Sequence, residues 1–185
     1  MKRRRLPLLS VAAACAVLAA APPSPAHAAD PLPCVKGESE SRDRSAVDDG
    51  EIRFTDETAY DDARRFAISA WQYGGARIKI LGDSATTVND LEFRDENLGS
   101  GRDAPVGEYR YRAAPGFTDY IVFNKQRMGK DADYQRHVAL HELGHALGLC
   151  HKPEGKVATL MWKEIRISMN RPTDADKANH KKLWG

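Results

Sequence analysis

Residues 141–151 read His-Glu-Leu-Gly-His-Ala-Leu-Gly-Leu-Cys-His, and the rest of the chain is read outward from them. His141 and His145 stand four apart, so on a helix both imidazoles project from one face, a turn apart. Gly148 can take the left-handed backbone that ends a helix, which brings His151 back toward the same point. Three imidazoles meeting at one point, with a fourth position open, are the ligand set of a catalytic zinc. Glu142 adjoins the first ligand and is not expected to bind metal. Its expected work is to take a proton from water and pass it to a leaving amine. Two plainer readings compete. An amphipathic helix that merely carries histidines has no need of Gly148 and His151 at these offsets. A closed structural zinc site would need Cys150 as fourth ligand, yet that side chain neighbours a ligand rather than facing the metal.

The beginning of the chain reads as an export signal. Lys2, Arg3, Arg4 and Arg5 form a charged start, 6–21 is rich in Ala, Leu and Val, and Ala26-His27-Ala28 is a small-residue cleavage site. The apolar run is too short and too alanine-rich for a good membrane span. The expected product is secreted and extracellular, without a membrane partner. The chain carries 28 basic and 26 acidic residues, and four of the basic ones leave with the leader. The remaining 24 against 26 give a net charge of about −2, which offers nucleic acid no attraction. Of the three cysteines, Cys15 lies in the leader, while Cys34 and Cys150 remain. An even pair in an exported protein reads as a disulfide, here tying the N-terminal segment to the end of the zinc helix.

Three segments are expected: a signal peptide over 1–28, an N-terminal polar segment over 29–50, and one catalytic domain over 51–185. Within the second, 36–50 (KGESESRDRSAVDDG) is charged and without period, and reads as a flexible tether. From Glu51, Ile52 and Phe54 alternate as a strand. Thr58, with Asp61 three on, marks a helix start, and Ala59, Ala63, Phe66, Ala67, Ala70 and Trp71 share the buried face. Strands follow over 76–81 and 90–94, then a loop over 95–105. An edge strand spans 106–112, Pro115-Gly116 turns the chain, and a more buried strand covers 120–124. The zinc helix runs from about Asp133 into Gly148, and Thr173 caps a last helix ending near Trp184. His137, one turn before His141, sits about 5.4 Å too far along the axis to share the metal; a place behind the ligands or on the surface is expected. His180, in the polar last helix, is expected to be exposed.

The motif H-E-x-x-H-x-x-G-x-x-H, with Ala158-Thr159-Leu160-Met161-Trp162 ten residues on, resembles the metzincin clan of zinc endopeptidases, whose signature ends in a methionine turn. The order of elements over 51–185 is similar to the matrixin catalytic domain. That resemblance implies an α+β fold: a twisted, mostly parallel sheet with an antiparallel edge strand, packed on two long helices, and a small C-terminal subdomain with a final helix. It implies Met161 as an apolar floor beneath the metal, with Met169 as the alternative. It also implies that an extended peptide pairs with the edge strand, here Gly107, Tyr109 and Tyr111; a capped sheet edge is the plainer account of that segment. Matrixin propeptides suggest a second role for Cys34, as an inhibitory thiolate on zinc.

The chain departs from the family where Trp162-Lys163-Glu164 replaces the usual proline and tyrosine of the pocket wall. The strand loops hold Asp83, Asp90, Asp95 and Asp103 but no histidine, which speaks against a second zinc and leaves room for Ca2+ with no residues assigned. The expectation is a monomeric, secreted endopeptidase with one catalytic Zn2+ on His141, His145 and His151, acting on protein or peptide substrates. The alternatives are a non-catalytic zinc-binding protein or toxin of the same fold, in which Glu142 would have no task, and a zinc hydrolase of non-protein amides.

Overall fold

The computed structural model describes residues 29–113, 116–165 and 169–185. The expected leader and Pro115 of the expected turn lie outside the described residues.

Among those residues, five strands form one sheet: β1 (Glu51–Glu57), β2 (Lys79–Gly82), β3 (Leu91–Glu96), β4 (Gly107–Arg110) and β5 (Asp119–Asn124). Their order is β2-β1-β3-β5-β4. Every pairing is parallel except β4 with β5, which is antiparallel and leaves β4 at the edge. Helix α1 (Asp61–Trp71) follows β1, α2 (Ala132–Ala146) follows β5, and α3 (Asp174–Trp184) closes the chain. This is the expected α+β architecture, a mostly parallel sheet with an antiparallel edge strand.

Alternation along the strands builds the core. Ile52, Leu91, Phe93, Ile121 and Phe123 are all buried, and Phe54, Phe93 and Phe123 follow one another across neighbouring strands, their ring centroids 5.6 and 6.4 Å apart. Helices α1 and α2 pack on each other. Ala63 and Ala67 are small enough to bring the helices close, and Trp71 then closes the gap. Its indole donates to the Leu140 carbonyl at 2.9 Å, one residue before His141.

Helix α1 begins differently from expectation. Its N-cap is Tyr60, with no side-chain cap. The Thr58 hydroxyl instead donates to Asp95 on β3, at 2.5 Å, and Asp61 accepts from Arg64. Consequently Ala59 is exposed, and the buried stripe is Ala63, Arg64, Ala67, Ile68 and Trp71, with Phe66 and Ala70 at its margin. Helix α3 does carry its predicted cap, with Thr173 and Asp176 forming a reciprocal box.

Residues 36–50 are not a free tether. The segment runs beside the end of α2, held by Val35 N–H to His151 O (2.9 Å), Ser41 N–H to Gly148 O (3.0 Å) and Ala46 N–H to Ala146 O (2.8 Å). A disulfide joins Cys34 to Cys150 across 116 residues, so Cys34 is not presented as a free thiolate. Lys152, fully buried, reaches Glu40 at 2.6 Å and the Leu32 carbonyl at 3.1 Å. Charge and lack of period suggested disorder, but the backbone is held against α2 and Glu38 and Glu40 are paired, while most of the other charges stay exposed.

Candidate metal centre

From His137 to Gly144, α2 is buried on every side, because α1, strands β4 and β5 and the Leu160–Met161 turn all pack against it. Leu147 follows as C-cap, and Gly148 takes φ +86°. That left-handed residue lets the chain leave the helix at a sharp angle. A side chain there would also collide with the Ser41 carbonyl of the N-terminal segment. The turn carries His151 back to the helix face.

The three Nε2 atoms converge. His141–His145 is 3.1 Å, His145–His151 3.2 Å and His141–His151 3.4 Å. Each ring has its other nitrogen occupied. Nδ1 of His141 meets the Leu160 carbonyl at 2.8 Å, Nδ1 of His145 the Leu149 carbonyl at 2.8 Å, and Nδ1 of His151 both Glu38 oxygens at 3.1 Å. Carbonyl and carboxylate oxygens only accept, so each Nδ1 carries the proton and each Nε2 presents a lone pair. Three lone pairs facing one another repel unless a cation lies between them. Tetrahedral zinc with Zn–N of about 2.0–2.1 Å needs nitrogens about 3.3–3.4 Å apart. The donor set fits zinc, and it is the only grouping of three or more such ligands among the described residues.

The electrostatics suit metal binding. Burial, then the neighbouring His145, drives His141 well below its ordinary pKa. Burial and His151 lower His145 to about 4. Both are neutral at pH 7, as ligands must be. Burial works against charge on Glu38, but hydrogen bonds from the His151 amide and ring outweigh it and hold that carboxyl below its usual range. Burial pushes Glu142 up to about 8, opposed by the Tyr109 amide and reinforced by Glu108. A cation held by the adjacent imidazoles would favour its carboxylate form again.

Around this cluster lies a cleft of about 460 Å³. One wall is β4, and the other is the N-terminal segment at Glu38, Ser41 and Arg44. The Val106 carbonyl accepts from Asn124 on β5. By the two-residue alternation of a strand, the backbone groups of Gly107, Tyr109 and Tyr111 point away from β5. The Tyr109 amide already serves Glu142, and its phenol bridges Asp119 (2.5 Å) and the Arg44 carbonyl (3.3 Å).

Met161 is buried and its sulfur lies where a Cβ on Gly144 would be 2.5 Å away, so the glycine before His145 makes room for it. Met169 lies elsewhere, its carbonyl taking the His137 Nδ1 proton at 2.8 Å. His137 is thus behind the ligands and not at the surface. His180 is the clearest reversal: it is 2 % exposed, lies under Trp71 and Tyr73, and meets the Tyr73 hydroxyl at 3.0 Å. The strand-loop carboxylates serve the local chain: Asp83 accepts from Thr87, Asp90 from the Arg53 amide, and Asp95 from Thr58. Nothing in their arrangement points to calcium.

Two residues escaped the sequence reading. Asp176 accepts from the Thr159 hydroxyl, from the Leu160 amide at 2.9 Å and from the Thr173 amide at 2.8 Å. It therefore pins the turn whose Leu160 carbonyl orients His141. Glu38 was lost in the supposed tether, although pairing Cys34 with Cys150 already places it within four residues' reach of His151.

A partly buried three-histidine donor set, placed on a helix and the turn that ends it, fits a zinc-binding motif. The chain belongs to the matrixin family, whose profile matches residues 43–185. That family is one of zinc metallopeptidases, hydrolases acting on peptides or proteins. No curated protein matches the chain. No helix among the described residues is long and apolar enough to cross a membrane.

Proposed function

We propose that this chain is a secreted, monomeric zinc endopeptidase that hydrolyses extended polypeptides, with His141, His145 and His151 holding zinc and Glu142 as general base. The observation that carries the reading is the convergence of three Nε2 lone pairs beside a buried carboxylate, under an unpaired sheet edge. When bound, zinc would polarise the scissile carbonyl and lower the pKa of a water to about 7. The chain's own residues do the rest. Backbone groups of Gly107 and Tyr111 align the substrate as an added strand. Glu142 takes a proton from the attacking water and delivers it to the leaving amine nitrogen, so acid and amine leave with the proton count balanced. The Tyr109 amide keeps the Glu142 carboxylate aimed into the cleft, and Met161 closes the space behind the ligands without binding.

Digestion of a mixed peptide library by zinc-loaded wild type and by Glu142→Ala tests this. Cleavage by the wild type and a loss of 10²-fold or more in the variant are expected. Equal cleavage by both would sink the general-base assignment, and no cleavage by the wild type would sink the peptidase reading.

A further inference from the structure

We infer that Glu38 is a positioning residue for the metal centre, and that the N-terminal strap of residues 34–46 is a working part of that centre rather than a lead-in to it. The inference rests on the zinc reading above and concerns the one ligand that lies beyond the helix.

His141 and His145 are placed by α2, and each is oriented by a neutral backbone carbonyl close by. His151 comes after the Gly148 turn, where no helix sets its angle. Its side chain is about a quarter exposed. What orients it is Glu38, 113 residues earlier. One carboxylate oxygen accepts the His151 amide at 2.9 Å, and both lie 3.1 Å from Nδ1. Backbone and ring are thus gripped together, which fixes both the turn and the tautomer. A carboxylate behind a metal-binding imidazole also adds the negative charge that a neutral three-histidine set lacks. Partners of this kind are worth about 10–100-fold in metal affinity.

The strap is built to hold that carboxylate still. Cys34 is bonded to Cys150, the residue next to His151. Glu38 sits in a turn closed by its own amide on the Val35 carbonyl at 3.1 Å, with Gly37 at φ +90°. Two residues on, Glu40 receives both the buried Lys152 ammonium and the Asn179 amide at 2.6 Å. Ser41 and Ala46 then bond the end of α2. Glu38 therefore lies between covalent, ionic and backbone anchors. The matrixin match begins only at residue 43, so the carboxylate, the first cysteine and the Lys152 partner all precede it.

The test measures zinc affinity by chelator competition on the full exported chain, for wild type, Glu38→Gln and Glu38→Ala, alongside ¹⁵N NMR of the histidine rings in the zinc-free proteins. Glu38→Ala should weaken zinc 10–100-fold, with Glu38→Gln between it and wild type because it keeps an acceptor and loses the charge. In Glu38→Ala, which leaves Nδ1 without its acceptor, His151 should lose its pure Nδ1–H tautomer while His141 and His145 keep theirs, a local change that general loosening would not produce. Should Glu38→Ala fail to fold, the zinc affinity of Glu38→Gln decides alone. Affinities within twofold of wild type, or an unchanged His151 tautomer, would overturn the inference. Tight zinc binding without any peptide cleavage would instead sink the peptidase reading and leave Glu38's role standing.

Discussion

Gly107 and Glu142 meet with no spare volume. A Cβ added to Gly107 would lie 2.9 Å from Glu142 Cγ and 3.1 Å from its Oε1, with Val138 Cγ1 at 2.7 Å. The edge strand can approach the carboxylate only because residue 107 has no side chain. Gly107→Ala should push β4 and Glu142 apart. Misplacement of about 1 Å in a catalytic group costs on the order of 10²-fold, so kcat/KM should fall by about that factor while zinc content stays at the wild-type level. Kinetics together with metal analysis of the purified variant check this; unchanged kcat/KM would mean that the contact does not aim the carboxylate.

The Cys34–Cys150 bond ties the strap to the ligand turn across 116 residues. In the chain-entropy view a loop of that length is worth roughly 4–5 kcal/mol, and loss of such a bond typically costs about 2–5. A Cys34→Ser/Cys150→Ser variant should lose about that much unfolding free energy and bind zinc less tightly, because Glu38 is no longer held beside His151. Denaturation curves and chelator competition on the double variant give both numbers without a thiol reductant that would itself bind zinc. A thiol count on the wild type should find none free.

His180 predicts an acid weakness. Burial lowers its pKa to about 4 from the ordinary 6.5, so the unfolded chain binds its proton more readily than the folded one. Stability therefore rises with pH between about 4 and 6.5, and falls as pH drops through that window. From pH 7 to pH 5 the loss from this residue is about 2 kcal/mol. Urea denaturation of wild type and His180→Gln at both pH values isolates it: the variant should lose less stability on acidification. Equal losses would mean that His180 is not held neutral in the fold.

The legible parts of this molecule are the local ones. The zinc motif needs only eleven consecutive residues, so helix period and one glycine place all three imidazoles. Strand 120–124 announces itself by its apolar run, and α3 by its Thr173 cap. What could not be read depends on partners far along the chain. Thr58 and Asp61 have the spacing of a helix start, but Asp95 on β3 competes for the threonine hydroxyl. His180 sits in a polar helix, and only the packing of Trp71 and Tyr73 over it makes it a core residue. The segment 36–50 has no period, because it adds hydrogen bonds and ion pairs to an existing helix end instead of burying an apolar face. Glu38 and Glu40 are indistinguishable from solvated charges until His151 and Lys152 are brought to them.

The central claim is that the three-histidine cluster, loaded with one zinc, makes this chain a peptide hydrolase. Titrating zinc into the chelator-stripped protein, while following cleavage of an extended peptide found by library digestion, tests it most directly. Activity should rise linearly and level off at one equivalent of zinc, and a His151→Ala variant should show neither the tight equivalent nor the activity. Cleavage that persists in the stripped protein, or its absence at full zinc occupancy, would contradict the account.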